Sequence, residues 1–561
     1  MDFENAPWYA GYADTPRHLV YPDVTMYGGL EAAAAKYPKY TALEFMGFKF
    51  SYRAFLIRVN NCARALAHYG VKAGDKVTIC LPNVPQAPEL VYAVNKLGAV
   101  ANMVHPLSAE KEIEFYLNDS ESVLAVTLDQ FVSKFKAVSA NTPRLKTLVV
   151  TSACDALPLP MRIINRLQTK KEHLEAARGV LSYREFLLGG LKEVLTPVSC
   201  HASDDAVILY SGGTTGVSKG IVLSNNAFNA IALQVCATNP MFTAGDKLLA
   251  VLPLFHGFGL GVCIHAMMFN GGESILVPRF NLKAFARALV RKKPNFIAGV
   301  PTMYEALLHL ESVKKLDLGF FHGIYCGGDS LGRDLKKRID DFLFAHGSPV
   351  PIREGYGLTE CIAVSCLTPY NAHREGSVGL PLPDMFFRIT RPGTDEELPY
   401  GEEGEICVCG PSVMTRYANN PEETEAVLHT DEDGHVWLHT GDLGKMDSDG
   451  YVYFMQRLKR MIVTSGYNVY PSQIEKLLDA HDFVHMSCVV GVPDPYRIKK
   501  VKAFIVLNPG VAENEGTKKV LDTYIRKHVA KFAAPREYEF LTDMPKTKIG
   551  KIDSRKLEER G

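Results

Sequence analysis

Neither sign of charge is in excess: Lys and Arg together number 62, and so do Asp and Glu. A chain without a global field has no general hold on a polyanion, so nucleic acid is not expected as a main partner. Twelve cysteines in 561 residues include no CxxC pair. Scattered thiols in a large chain fit a reducing compartment, not a disulfide scaffold. Cys407 and Cys409 alternate along an apparent strand, which points to packing and not to a zinc knuckle. Charged residues at 22% and apolar residues at 47% exclude a disordered, collagen-like or coiled-coil chain. No tandem repeat and no low-complexity tract is visible. The start, MDFENAPWYAGY, lacks the basic and apolar regions of a signal peptide, and KLEERG is no peroxisomal or ER-retention address. A cytoplasmic protein is expected. Residues 248–269 form one long run without Asp, Glu, Lys or Arg. Pro253, Gly257, Gly259, Gly261, His256 and His265 interrupt it, so a strand, a turn and a buried helix explain it better than a membrane span.

What is present is alternation. Residues 76–81, 123–126, 206–210, 248–252, 274–277, 296–298 and 323–326 read as buried strands. Helical patterns such as 282–290 and 303–310 lie between several of them. Apolar runs separated by 3.6-period segments predict βα units and a largely parallel sheet. From 386 to 453 short strand-like pieces alternate with Gly and Asp turns, predicting a mostly antiparallel subdomain. Beyond RLKRM a new pattern begins: helix 472–478, strands 487–490 and 502–507, helix 518–529 and strand 537–541. It predicts a small α+β domain, with residues 1–458 as the large N-terminal domain and 459–561 as the C-terminal one. Residues 157–190, with the basic piece MRIINRLQTKKEH, read as a solvated insertion; peripheral membrane contact is the weaker reading.

After the strand AVILY comes a ten-residue string, Ser211-Gly-Gly-Thr-Thr-Gly-Val-Ser-Lys-Gly. Gly212, Gly213 and Gly216 let backbone amides approach a phosphate. Ser211, Thr214 and Thr215 add hydroxyl donors, and Lys219 adds positive charge. Gly220 after the lysine rules out a Walker A loop, which needs Ser or Thr there. Further strings follow in order: LPLFHGFG, GVPTMYEAL, CGGDSL, GYGLTE, GEICVCGPSVM, HTGDLG, RLKRMIVTSGYNVYPSQIE and PKTKIGKID. With these the chain resembles the adenylate-forming enzymes, which include acyl-CoA synthetases, peptide-synthetase adenylation domains and firefly luciferases, over residues 38–557. The resemblance implies an α/β fold: a large N-terminal domain of two parallel-sheet subdomains plus a small β-barrel, then a mobile α+β C-terminal domain.

The implied reaction has two steps. A carboxylate attacks the α-phosphorus of ATP, giving an acyl adenylate and pyrophosphate; a thiol then displaces AMP. Two anions must meet, so positive groups and Mg2+ must converge. The resemblance assigns the magnesium-binding carboxylate to Glu360, with Thr359 beside the phosphates. Tyr356 would pack on the adenine, with Gly328 and Gly357 in the same nucleotide site. Asp442 matches the residue that accepts both ribose hydroxyls, and Arg457 the second ribose contact. Lys551 would bridge the acid and the α-phosphate. Lys459 aligns with a hinge, about which rotation would withdraw Lys551 and bring Gly466 to the coenzyme A thiol. His256 matches a gate beside the acid's carboxylate.

The acyl pocket is expected around residues 256–261, 299–302, 327–330 and 358–363. The first two segments carry no acid to hold an ammonium group, and apolar walls favour an aliphatic chain or an aromatic ring. The motifs look most like the fatty-acid branch. The expected function is a fatty-acid–CoA ligase using ATP, Mg2+ and CoA. Alternatives are an aryl-acid or other CoA ligase and an enzyme loading a carrier protein in trans. A homodimer is left open. Departures from the family pattern stand at Asn225, Asp329, Arg416, Gln456 and Arg460. Arg497, Lys499, Lys500 and Lys502 form a basic cluster that reads either as a solvated turn entering a strand or as a surface suited to the phosphates of CoA.

Overall fold

The computed structural model describes residues 3–157, 179–211, 218–278, 281–464, 467–494, 498–531, 533–546 and 552–560. They divide into two compact units, and the second gathers residues 388–406, 439–446 and 453–561.

The first unit contains two large sheets. In one, six parallel strands run in the order Ile352–Tyr356, Gly323–Cys326, Phe296–Gly299, Lys247–Ala250, Glu273–Leu276 and Thr41–Phe45. The strands expected from the sequence at 248, 274, 296 and 323 are all here. They are short and buried on both faces, as crossover helices require of a parallel sheet. Leu282–Lys292 and Pro301–Leu308 are two of those helices. Phe285, Leu289, Ile297, Met303, Tyr304 and Ile324 belong to the buried cluster they share with the strands.

The other sheet has six parallel strands in the order Asp205–Ser211, Val100–Met103, Lys76–Cys80, Leu124–Leu128, Thr147–Thr151 and Val180–Ser182. Two antiparallel strands, Lys219–Ser224 and Arg416–Tyr417, extend its edge. The insertion reading therefore fails after residue 178, because Val180–Ser182 joins the sheet and Tyr183–Gly189 is a capped helix. Residues 158–178, with the basic piece, lie outside the described residues.

The run 248–269 resolves into the strand Lys247–Ala250, a wide π-helical segment Phe258–Ala266 and the short helix Met267–Asn270. Among the described residues no helix is long and apolar enough to cross a membrane. The strands Phe386–Thr390, Gly404–Cys409, Leu428–Thr430, Val436–Met446 and Val452–Arg457 make a five-stranded sheet where a small barrel was expected. All twelve cysteines are free thiols, and Cys407 and Cys409 are buried.

The C-terminal part of the second unit is the α+β arrangement read from the sequence. Its sheet orders Val484–Asp494, Ile498–Leu507 and Glu537–Phe540. The helices Pro471–Asp479 and Glu515–His528 place Ile474, Leu478, Leu521 and Ile525 in one core with Val489, Ala503 and Ile505.

Candidate active site

The strands Asp205–Ser211 and Lys219–Ser224 form a hairpin whose last described pair is Ser211 opposite Lys219. Gly212, Gly213, Thr214, Thr215 and Gly216, at its tip, lie outside the described residues. The flanks are built to hold charge. The Lys219 ammonium pairs with the Glu423 carboxylate and lies 4.8 Å from the centre of the Tyr417 ring. The hydroxyls of Ser218 and Tyr116 are 3.3 Å apart. Beneath them Tyr210 donates to Asp119 at 3.1 Å, and burial pushes the Asp119 carboxyl above its ordinary range.

The motif GYGLTE leaves the parallel sheet at the end of the strand Ile352–Tyr356 and becomes the tight turn Thr359–Cys361. Tyr356 is buried, edge-to-face with Phe387 at a centroid distance of 6.3 Å. Glu360 is held twice: its carboxylate accepts the Tyr417 hydroxyl at 3.0 Å, and its carbonyl accepts Met414 N–H at 2.7 Å. Two residues on, Ile362 has φ +66° and ψ −61°, and Ala363 N–H closes a three-residue turn onto Cys361 O at 2.7 Å. A β-branched residue there costs about 1–3 kcal/mol unless its surroundings impose it. The surroundings do: Ile362 is buried against the HGFG segment. A side chain at Gly257 would run into its carbonyl, and one at Gly261 into its methyl group. His256, half-buried, stands at the entry to the π-helical segment with its ring 4.8 Å from that of Phe255. Gly328 is exposed just beyond the strand Gly323–Cys326.

In the second unit Asp442 lies on the strand Val436–Met446, almost fully buried, and forms an ion pair with Arg457 Nε at 2.9 Å. Lys459 falls in the single turn Leu458–Arg460, its side chain outside the described residues. Gly466 and Lys551 also lie outside them.

Several departures from the family pattern acquire local reasons. Asn225 is buried and accepts Met26 N–H at 3.0 Å while its amide reaches the carbonyls of His201 and Asp204. Arg416 pairs with Asp205 across the sheet edge, Nη1 to Oδ1 at 3.1 Å. Asp329, within the segment 327–330 where the acyl pocket is expected, is exposed and accepts the next residue's N–H at 2.9 Å. Gln456 reaches the Ser472 hydroxyl at 3.2 Å, and Arg460 pairs with Glu475 at 2.5 Å, so two positions flanking Lys459 attach to one helix. In the basic cluster Lys500 pairs with Glu537 and Lys502 with Glu539 at 3.0 Å, while Lys499 is exposed; Arg497 lies outside the described residues.

Tyr417, Glu423 and Asp119 escaped the reading of the sequence. Each comes from a segment far along the chain from the motif it supports, and only MTRYANNPE, between two recognised strings, hinted at the first.

Residues 30–418 match the AMP-binding enzyme family, and residues 473–551 match the AMP-binding enzyme C-terminal domain. The chain is 34% identical to a long-chain-fatty-acid–CoA ligase of Bacillus subtilis, covering 99% of this chain and 98% of that one. It is 31% identical to a ligase of the same name from Salmonella typhimurium, covering 94% and 93%. The fold superposes on the ATP-bound MatB of Rhodopseudomonas palustris with a TM-score of 0.82 at 26% identity, over 96% of this chain and 99% of that one.

Proposed function

Since the chain belongs to the AMP-binding enzyme family, we propose that this AMP-forming acid–thiol ligase activates a medium- or long-chain fatty acid and passes it to coenzyme A. The observation that carries the substrate reading is the likeness, along nearly the whole chain, to ligases named for long-chain fatty acids. The wall formed by the π-helical segment Phe258–Ala266 supports it, since that segment contains no Asp, Glu, Lys or Arg and its one histidine, His265, is fully buried. Such a wall offers nothing to an amino or second carboxyl group on the acid.

In the first step a carboxylate oxygen of the acid attacks the α-phosphorus of ATP, the bond to the β-phosphate oxygen breaks, and pyrophosphate leaves. The hydroxyls and amides of residues 211–216 and the Lys219 ammonium hold the phosphates. Lys551 sits between the two reacting anions and offsets the charge that develops as they meet. Asp442 and Arg457 hold the ribose, and Tyr356 covers the adenine. Glu360 with Thr359 is a pair of oxygen donors that suits Mg2+, and the Tyr417 hydroxyl keeps that carboxylate oriented. The bound ion would neutralise phosphate charge. In the second step the C-terminal domain, residues 459–561, turns about Lys459 and presents Gly466. The thiol sulfur of coenzyme A then attacks the acyl carbon and AMP leaves with the electron pair.

A panel of saturated fatty acids, aromatic acids and amino acids, assayed for pyrophosphate release with and without coenzyme A, tests this reading. Release that is greatest with C8–C18 acids and completed to thioester only with coenzyme A is expected. Preference for an aromatic acid, or turnover that ignores coenzyme A, would overturn the substrate or the acceptor assignment respectively.

A further inference from the structure

The second unit contains a chain of polar groups ending at Asp442 that the reaction described above does not use. His439 is buried, and both of its ring nitrogens face carboxylates: Nδ1 lies 3.2 Å from Glu405 Oε2, and Nε2 lies 3.0 Å from Asp395 Oδ1. A carboxylate only accepts, so the ring is placed to meet an acceptor on each side. Arg388 Nη2 donates to the same Asp395 oxygen, Oδ1, at 3.2 Å. Glu405 is also buried, and its second oxygen accepts Gly441 N–H at 2.9 Å. Burial works against the Glu405 charge, but the hydrogen bonds from His439 and Gly441 outweigh it and hold the carboxyl below its ordinary range.

The motif HTGD is thus fastened at successive residues to the strand Gly404–Cys409. His439 and Gly441 bind Glu405, and the Thr440 hydroxyl donates to Ile406 O at 2.6 Å while accepting Asp442 N–H at 3.1 Å. Gly441 has φ +67°, a left-handed turn that a side chain would strain. This turn sets the direction in which the strand delivers Asp442.

We propose that His439 is a positioning residue for the nucleotide: clamped between Glu405 and Asp395, it fixes the left-handed turn at Gly441 and so the placement of Asp442. The inference rests on the reading of Asp442 as the ribose contact. Without the His439 ring, Glu405 would keep a buried charge with one partner fewer, and it would relax by releasing Gly441 or by taking up a proton. Either change frees the turn. Phosphate, acid and thiol contacts come from other segments and are untouched.

The test measures AMP affinity by titration calorimetry, and separately the KM for ATP, acid and coenzyme A, in full-length His439→Ala, His439→Gln and Asp395→Asn variants, with thermal unfolding as a check on folding. His439→Ala should weaken AMP binding roughly tenfold or more, as expected for a lost hydrogen bond to a charged group, and raise the KM for ATP alone. His439→Gln keeps a donor for one carboxylate and should recover part of the loss. If His439→Ala does not fold, Asp395→Asn, at an exposed arm of the clamp, should still weaken AMP binding by a few fold. AMP affinity within twofold of the parent in the folded variants, or a parallel rise in all three KM values, would overturn the proposal. A parent protein that binds AMP but shows no acid-dependent pyrophosphate release would instead overturn the ligase reading, and the AMP titrations of the variants would still decide the clamp.

Discussion

The Tyr417 hydroxyl donates to the Glu360 carboxylate at 3.0 Å. Through this bond the strand Arg416–Tyr417, paired to the phosphate-loop hairpin with Tyr417 opposite Ile221, reaches the turn that carries the proposed magnesium carboxylate. The same ring lies under the Lys219 ammonium. One tyrosine therefore couples the cation of the loop to the anion of the TE turn, and neither group is left to choose its own rotamer.

Tyr417→Phe retains the ring beneath Lys219 and removes only the hydroxyl. The turnover number should fall about tenfold, with unfolding stability lowered by ~1 kcal/mol, the usual worth of one such bond. A magnesium titration of pyrophosphate release should show a higher half-saturation point in the variant. Identical titrations for the two proteins would remove Tyr417 from the site.

Lys551→Ala should slow adenylate formation by roughly two to three orders of magnitude, the scale of losing a preorganised charge-stabilising donor. If the second step uses the rotated domain, as proposed, a supplied acyl adenylate should still be converted to thioester at close to the parental rate. Equal losses in the two half-reactions would contradict the division of labour between them.

Fully buried His265 bridges Tyr92 and Asn229, each at 3.0 Å, and desolvation lowers its pKa from 6.5 to about 3. The unfolded chain therefore binds a proton that the folded chain refuses between pH 6.5 and about pH 3. The stability from this group is whole above pH 6.5 and declines as pH falls, by ~1 kcal/mol per unit through that window. His265→Gln keeps polar partners and loses the titration. Urea unfolding of the two proteins should show their stability difference shifting in favour of the variant from pH 6.5 to pH 4. A constant difference would show that His265 does not contribute to acid sensitivity.

Among the described residues of the cluster Lys499 is the exposed one, since Lys500 and Lys502 are engaged by Glu537 and Glu539. If coenzyme A phosphates approach this surface, Lys499→Glu alone should raise the KM for coenzyme A several-fold at low ionic strength. The effect should fade at high salt, where screening shortens the reach of the charge. The KM for ATP should not move. A KM for coenzyme A that ignores the substitution at low salt returns Lys499 to the solvated face. Reversing Lys500 as well would set a carboxylate against Glu537 and confuse folding with binding.

The βα succession was legible because it rests on local facts. The runs beginning near 76, 206, 248, 296 and 323 are largely apolar, as strands buried on both faces must be, and the helices between them show their own period. Glu360 and Asp442 were expected at the site from the family resemblance that the ordered short strings carry, and Lys219 from the glycine- and threonine-rich string it closes. Other relationships depended on distance through the chain. The order of strands around Lys247–Ala250, with Glu273–Leu276 on one side and Phe296–Gly299 on the other, follows from which faces bury one another. The strain at Ile362 exists only because a distant segment leaves its carbonyl and methyl group one place to go. Tyr417 with Glu360, and His439 with Asp395 and Glu405, are pairs whose members lie 34 to 57 residues apart. Hydrogen bonds of that kind leave no period or spacing behind them. They form after packing has brought the strands together, so the sequence offered the candidate groups through its motifs, and tertiary structure decided which neighbours hold them in position.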